Sequence, residues 1–158
     1  MREVIYLFSD KKKKMIFPSL IKWRIGINYS HVAMLVEGKI FQASLGGVNT
    51  MSFTDFKADN HIIMSAKTHL SDKAYSYMRA QLGKRYSVLG ALAATFRLLR
   101  WLRLGDNGDR TYICSEYAYR THSQDHQHSV NSDYVDPADF ERLLEKEGVK
   151  LKPGLVLL

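Results

Sequence analysis

Cys114 is the residue of this 158-residue chain whose type and setting best suit nucleophilic chemistry. It is the only cysteine, and it lies in the stretch 111–120, TYICSEYAYR, which is typical of the first turns of a helix with Thr111 as N-cap. A thiol in the first turn lies at the positive end of the helix dipole, which favours the nucleophilic thiolate. A lone cysteine is also often a small buried apolar residue, and the sequence leaves that alternative open.

His31 is the candidate general base for this thiol. It begins the apolar run HVAMLV, which predicts a strand over 29–36, a tight turn at 37–38 and a returning strand over 39–44. A two-residue turn places His31, Gln42 and Ser44 on one face of the hairpin. Either Gln42 or Ser44 could then orient the imidazole, although a structural histidine hydrogen-bonded within the sheet fits the same pattern.

The elements that must position these groups follow from hydrophobic periodicity and from turn residues. The sequence predicts strands over 3–8, 61–67 and 151–158, helices over 70–82 and 137–147, a short helix from Pro18, a charged loop over 9–14, and a loop with a short extended piece over 48–56.

A strongly apolar stretch over 88–104 predicts a further helix, with Arg97, Arg100 and Arg103 along one side. Two interpretations stay open. The helix could be a core element with one solvent-exposed side. Alternatively, it could lie on an anionic bilayer with its arginines on the headgroups and Trp101 at the membrane–water boundary. It is short for a membrane span, and no apolar run in the chain reaches the roughly 20 residues that a span requires.

A polar run over 122–128, HSQDHQH, contains three histidines and an aspartate, which could bind a metal ion. The run has no defined ligand geometry, so we interpret it as a solvated loop and expect neither a metal site nor a cofactor.

The net charge of +7 is unevenly distributed. Residues 1–110 carry 18 Lys and Arg against 8 Asp and Glu, or +10, whereas residues 111–158 carry 5 against 8, or −3. The basic part favours anionic surfaces such as a membrane. Nucleic acid is the least favoured partner, because charge alone supports it and no aromatic stacking motif accompanies the charge.

The chain length suits a single domain over 1–158, and one cysteine excludes an internal disulfide. The apolar run at the N-terminus is short and is followed at once by Asp10 and four lysines, so we do not expect a signal peptide. These features favour a cytoplasmic or virion-associated protein that could be peripheral at a membrane. They do not indicate an oligomeric state.

Five short segments carry a resemblance to a known family. They are YSHVAM (29–34), IFQA (40–43), LGKRY (82–86), YICSE (112–116) and, more weakly, VDPADF (135–140). In this order, with the histidine hairpin before the cysteine helix, the chain resembles the circularly permuted NlpC-type papain-like cysteine hydrolases. This branch includes YiiX-like bacterial proteins and lecithin-retinol acyltransferase-like proteins.

The resemblance implies an α+β, papain-like fold in which an antiparallel sheet packs against helices and the nucleophile begins a helix. It implies Cys114 as nucleophile, His31 as base and Gln42 as the orienting group, with Ser44 as the fallback partner. Tyr86 and Ser115 would line the substrate or oxyanion site. Many relatives have histidine or an acid where this chain has Gln42, and a neutral amide stabilises an imidazolium less.

The activity implied is acyl transfer by a cysteine peptidase or amidase, through a thioester, with a cell-wall peptide as the prime candidate substrate. A lipid acyl hydrolase or acyltransferase at a membrane surface and a non-catalytic binding protein on the same fold are the alternatives. A bacterial or bacteriophage source would fit the compact size.

Overall fold

The computed structural model describes residues 1–13, 19, 22–24, 26–96, 110–126 and 135–155. Its architecture is α+β, as the sequence predicted. A six-stranded antiparallel sheet has the strand order β4-β3-β2-β1-β5-β8, and a separate two-stranded parallel sheet pairs β6 with β7. The strands are β1 (Arg2–Lys11), β2 (His31–Val36), β3 (Lys39–Ser44), β4 (Gly47–Ser52), β5 (Asn60–Leu70), β6 (Arg85–Tyr86), β7 (Thr111–Tyr112) and β8 (Leu151–Pro153). The helices are α1 (Phe53–Asp59), α2 (Asp72–Ala80), α3 (Val88–Thr95), α4 (Cys114–His122) and α5 (Pro137–Lys146).

The central strand β1 is covered on both faces, which explains its uninterrupted apolar run. Alternate residues such as Tyr6 and Phe8 face a large core formed with α2, α4 and α5. The intervening residues Ile5 and Leu7 face a smaller core under Phe56 of α1. A strand buried on both faces does not show the polar alternation of a half-exposed strand.

The predicted hairpin is confirmed. Glu37 and Gly38 both have positive φ, 49° and 77°, as a tight two-residue hairpin turn requires. Val36 pairs with Lys39, and Ala33 pairs with Gln42, as expected. The strand itself begins at His31, two residues later than predicted, and there His31 is paired with Ser9 of β1.

Two predicted loops are wrong, because backbone pairing extends into them. Part of the charged loop over 9–14 belongs to β1, which continues through Lys11 in register with β5. Most of the loop over 48–56 is β4 followed by α1, whose N-cap Ser52 accepts a hydrogen bond from the Asp55 amide at 3.0 Å.

The predicted helices over 70–82 and 137–147 are confirmed as α2 and α5. Ser71 caps α2 through the Ala74 amide, and Asp136 caps α5 just before Pro137. The predicted strand over 61–67 is the longer β5. The predicted C-terminal strand is shorter, since β8 ends at Pro153 and residues 156–158 lie outside the described chain.

The helix predicted over 88–104 does not run through as one element. It ends at Thr95, and Phe96 has extended backbone with φ −111° and ψ 112°. Residues 97–109, and with them Arg97, Arg100, Trp101 and Arg103, lie outside the described residues. The predicted helix from Pro18 is described only at Ser19 and over 22–24, which are helical.

No helix among the described residues combines the length and the apolar character needed to cross a membrane.

Candidate active site

Cys114 is the first residue of α4. The predicted N-cap at Thr111 is wrong, because Thr111 and Tyr112 form β7 beside β6 and the chain turns into the helix only at Ile113. The Ile113 amide donates to the carboxylate of Glu116 at 3.4 Å, which satisfies one of the free N–H groups at the start of the helix. The cysteine therefore occupies the helix N-terminus, as the first helical residue, because the N-cap is Ile113, two positions after the predicted Thr111.

The thiol of Cys114 lies against the backbone at the start of β2. Its Sγ donates to the carbonyl oxygen of Ser30 at 4.0 Å, and the side chain is only 6% exposed. Burial raises the pKa of the thiol above its ordinary value of 9.0, while hydrogen bonds from the amides of Val32, Ser115 and Cys114 oppose that rise. The effect of burial on the thiol pKa is larger than that of the hydrogen bonds, so the neutral thiol is the favoured form in this structure. The helix dipole had led us to expect the thiolate.

His31 is oriented by Gln42, one of the two partners predicted for it. Nε2 of the ring lies 2.8 Å from Oε1 of Gln42. The amide of Gln42 is fixed in turn, because its Nε2 donates to Oδ1 of Asn49 at 3.3 Å and to the Met51 sulfur at 3.2 Å. Since Oε1 of Gln42 can only accept, the Nε2 atom of His31 carries the proton and Nδ1 carries the lone pair.

The supporting role of Asn49 was not predicted from the sequence. Asn49 lies directly opposite Gln42 in the β3–β4 pairing, and it also donates to Ser44, the predicted fallback partner of His31, at 3.1 Å. No hydrogen bond joins Ser44 to His31 in the part of the chain that the structure describes. The position of Asn49 beside Gln42 could have been predicted only if β4 had been recognised as a strand.

The imidazole of His31 is neutral over a wide pH range. Burial lowers its pKa from 6.5 to about 4, the hydrogen bond with Gln42 opposes this, and the positive charge of Lys11 lowers the pKa further. A neutral imidazole with Nδ1 unprotonated is the form that a general base requires.

The thiol and the imidazole approach the same stretch of backbone from its two sides. His31 shares a sheet face with Ala33 and lies 6.2 Å from the ring of Phe56 in the smaller core, whereas α4 packs on the other face through Tyr117. Cys114 reaches the backbone of residues 30–32, which flanks His31. No hydrogen bond joins the two side chains within the described residues, and in this conformation they lie on opposite faces of the sheet at the start of β2.

Tyr86, predicted to line the substrate or oxyanion site, lies near the thiol. It pairs with Tyr112 in the small parallel sheet, and it packs beside Ile113 at the start of α4. Burial, followed by the nearby charge of a Cys114 thiolate, raises the pKa of its phenol, so the hydroxyl stays protonated and can donate.

Gly47 holds this segment against the main sheet. Its φ is +98°, and a Cβ at this position would lie 2.6 Å from the carbonyl oxygen of Lys84. The Val48 amide donates to the same carbonyl at 2.8 Å. Only a glycine permits this approach, which brings the LGKRY segment to the cysteine.

Ser115 has a packing contact as well as its proximity to the thiol. Its Oγ donates to the carbonyl oxygen of Val135 at 2.7 Å, which ties the start of α4 to the chain entering α5. Its amide and its hydroxyl also favour a thiolate at Cys114.

The four residues predicted to contact a membrane or an anion lie outside the described residues.

The predicted solvated loop over 122–128 is wrong at its first residue. His122 is the last residue of α4 and is 1% exposed. Its Nδ1 lies 3.0 Å from the hydroxyl of Tyr6, and its Nε2 lies 2.6 Å from a carboxylate oxygen of Glu147. The sequence alone missed this cluster, because its members lie 25 and 116 positions from His122.

No family model, curated protein or solved structure matches this chain. The function is therefore argued from the geometry and from the resemblance of its short motifs.

Proposed function

We propose that this protein is a papain-like cysteine hydrolase that cleaves an amide bond through a thioester. The observation that carries the proposal is the hydrogen bond between Nε2 of His31 and Oε1 of Gln42. It leaves Nδ1 of His31 as the basic nitrogen, and His31 directly follows Ser30, whose carbonyl oxygen contacts the thiol of Cys114 at a helix N-terminus. A nucleophile, a base and a group that orients the base are the parts that covalent acyl transfer requires.

The reaction starts from a neutral pair. Nδ1 of His31 removes the thiol proton while Sγ of Cys114 attacks the carbonyl carbon, forming the carbon–sulfur bond. The imidazolium then gives that proton to the leaving amine as the carbon–nitrogen bond breaks. A water molecule, deprotonated by the same imidazole, hydrolyses the thioester, releases the acid and restores the thiol. The Cys114 amide at the helix N-terminus is the candidate donor to the oxyanion.

The two reacting side chains must meet around the end of β2. His31 is the first residue of β2. No residue of this strand therefore lies between the His31 ring and Cys114 at that end of the sheet. In the proposed reaction the His31 side chain rotates to bring Nδ1 towards the sulfur. The rotation gives up the hydrogen bond with Gln42, while the backbone pairing of His31 with Ser9 and of Ala33 with Gln42 is kept. We expect substrate binding to favour that rotation.

Activity-based labelling tests the proposal. The intact protein is incubated with peptide-like and lipid-like acyl electrophiles, and the adduct is located by mass spectrometry. We expect labelling at Cys114 that is abolished by Cys114→Ala and reduced roughly 100-fold or more by His31→Gln, since general-base catalysis contributes about that factor. His61→Gln, an exposed histidine on β5, is the matched control and should label like the unmodified protein.

Turnover of peptidoglycan peptides and phospholipids then identifies the acyl class. Cleavage of the peptides supports the amidase, whereas turnover of phospholipid alone supports the membrane-surface acyl hydrolase or acyltransferase. The acid limb of kcat/KM should have its midpoint near the pKa of His31, about 4, rather than near 6.5. Full activity in Cys114→Ala would end the proposal.

A non-catalytic binding protein is the second candidate, and one observation favours it. The thiol pKa is raised by burial, and the described residues provide no hydrogen bond from the imidazole to the thiol. Alkylation by a small neutral reagent separates the two candidates. If Cys114 stays inert at neutral pH in the presence of every substrate class, and His31→Gln changes nothing, the binding role is the better account.

A further inference from the structure

A second group of side chains that offer ligand atoms lies at the C-terminal end of α4, apart from the candidate active site. His122, His126 and Glu147 each offer one ligand atom, and these three atoms lie within 4.8 Å of one another. His122 ends α4, His126 lies four residues further in the following turn, and Glu147 caps the end of α5. Within the described part of the chain this is the only group of three or more such side chains.

We propose that His122, His126 and Glu147 form a binding site for a divalent transition-metal ion, with Zn²⁺ as the best-suited ion. Two imidazole nitrogens and one carboxylate oxygen are a donor set that borderline ions such as Zn²⁺ prefer over Mg²⁺ or Ca²⁺, which take oxygen ligands. Three protein ligands leave a fourth tetrahedral position for water or for a ligand.

The spacing of the ligands suits one ion after small adjustments. A metal at about 2.0–2.1 Å from each ligand atom requires the atoms to lie roughly 3.4 Å apart. Nε2 of His122 and the Glu147 oxygen lie 2.6 Å apart and must therefore separate slightly. The His126 ring is stacked on the His122 ring, with centroids 4.7 Å apart, and it is exposed, so it can turn towards the ion.

The buried side of the site is already organised for a metal ligand. Nδ1 of His122 lies 3.0 Å from the Tyr6 hydroxyl, which leaves Nε2 to face Glu147. A ligating histidine commonly donates its other ring N–H to a fixed acceptor, which sets its orientation and raises its basicity. The Tyr6 hydroxyl is fully buried and has a lone pair that can accept that hydrogen bond.

The turn that carries His126 is anchored from a third element. The carboxylate of Asp125 accepts hydrogen bonds from the amide and the hydroxyl of Ser71, the N-cap of α2, with the amide at 2.8 Å. Because both carboxylate oxygens of Asp125 accept hydrogen bonds from Ser71, Asp125 is not a ligand of the proposed site. The carboxylate ligand is Glu147, from a distant part of the chain. This ligand set differs from the three histidines and one aspartate of the run 122–128, which the sequence alone favoured as a solvated loop without a metal site.

Binding would exchange protons for the ion. Zn²⁺ takes the nitrogen lone pairs of the two histidines and the carboxylate of Glu147, and any proton bound by these atoms is released to solvent.

Titration of the purified protein, stripped with a chelator and then freed of it, tests the site. Zn²⁺ is followed by calorimetry, and Co²⁺ by its visible absorption, which reports the coordination geometry. We expect one ion per chain, a higher Tm with Zn²⁺, and a loss of affinity of about tenfold or more in His126→Ala and in Glu147→Gln. His126 is exposed, so His126→Ala should fold normally.

Matched controls make the result decisive. His61→Ala and His69→Ala remove exposed histidines outside the cluster and should bind Zn²⁺ like the unmodified protein. Cys114→Ala should also leave the stoichiometry unchanged, which excludes the thiol as the ligand. Equal affinity in His126→Ala and the unmodified protein, or no binding of either ion, would overturn the site.

Discussion

The two ends of α4 bury chemically active groups in opposite ways. At the N-terminal end, the Cys114 thiol has one weak contact with a carbonyl at 4.0 Å and backbone amides around it. At the C-terminal end, His122 has a phenol on one nitrogen and a carboxylate on the other, at 3.0 and 2.6 Å. Both groups are buried, but the thiol of Cys114 donates only one long hydrogen bond, whereas both ring nitrogens of His122 have close hydrogen-bond partners.

If the proposed function holds, this difference separates a group held for reaction from a group held for structure or binding. A nucleophile needs a sulfur that can leave its resting contact when substrate arrives, and one 4.0 Å contact permits that. A buried imidazole with two partners has a fixed position, which suits a structural link or a metal ligand. Substitutions at the two ends should accordingly differ most in their effect on stability.

The largest effect is expected from His122→Ala. Removing the ring leaves the Tyr6 hydroxyl and the Glu147 carboxylate without this partner and opens a cavity under α5. We expect the free energy of unfolding to fall by about 3–4 kcal/mol, measured by urea denaturation without added metal. A loss below about 1 kcal/mol would show that the C-terminal end is no more tightly bonded than the thiol end.

An intermediate effect is expected from pH, through His31. The folded protein keeps this imidazole neutral down to about pH 4, whereas the unfolded chain takes up a proton near 6.5. The contribution to stability is therefore complete above pH 6.5 and is lost as the pH falls towards 4, by roughly 3 kcal/mol.

The comparison of the unmodified protein with His31→Gln isolates that contribution from the carboxylates, which titrate in both. Their difference in free energy of unfolding should change between pH 7 and pH 4. A difference that is constant over this range would contradict the burial of a neutral imidazole.

The smallest effect is expected from Cys114→Ala. The substitution removes one buried sulfur whose thiol donates one long hydrogen bond, at 4.0 Å, so the free energy of unfolding should fall by about 1 kcal/mol or less. A loss as large as that of His122→Ala would indicate that the cysteine is mainly a core residue.

Local sequence patterns determined the hairpin and its register and the caps of α2 and α5, whereas the α+β class was expected from the resemblance of the short motifs. The hairpin and the caps depend on neighbouring residues: Glu37-Gly38 requires a tight turn, and Ser71 and Asp136 satisfy amides three positions away. The turn also placed His31, Gln42 and Ser44 on one face, because it fixes the register, but the choice of Gln42 over Ser44 as the hydrogen-bond partner of His31 came from the structure.

Only the tertiary structure decided the extent of β1 and β4, the true start of α4 and the environment of both of its ends. Ser9–Lys11 are strand residues because β5 pairs with them, and Thr111 is a strand residue because Arg85 lies beside it. The cluster around His122 joins residues from β1, α4 and the end of α5. Burial and charge depend on which distant elements pack together, and that information is not present in any local pattern of residues.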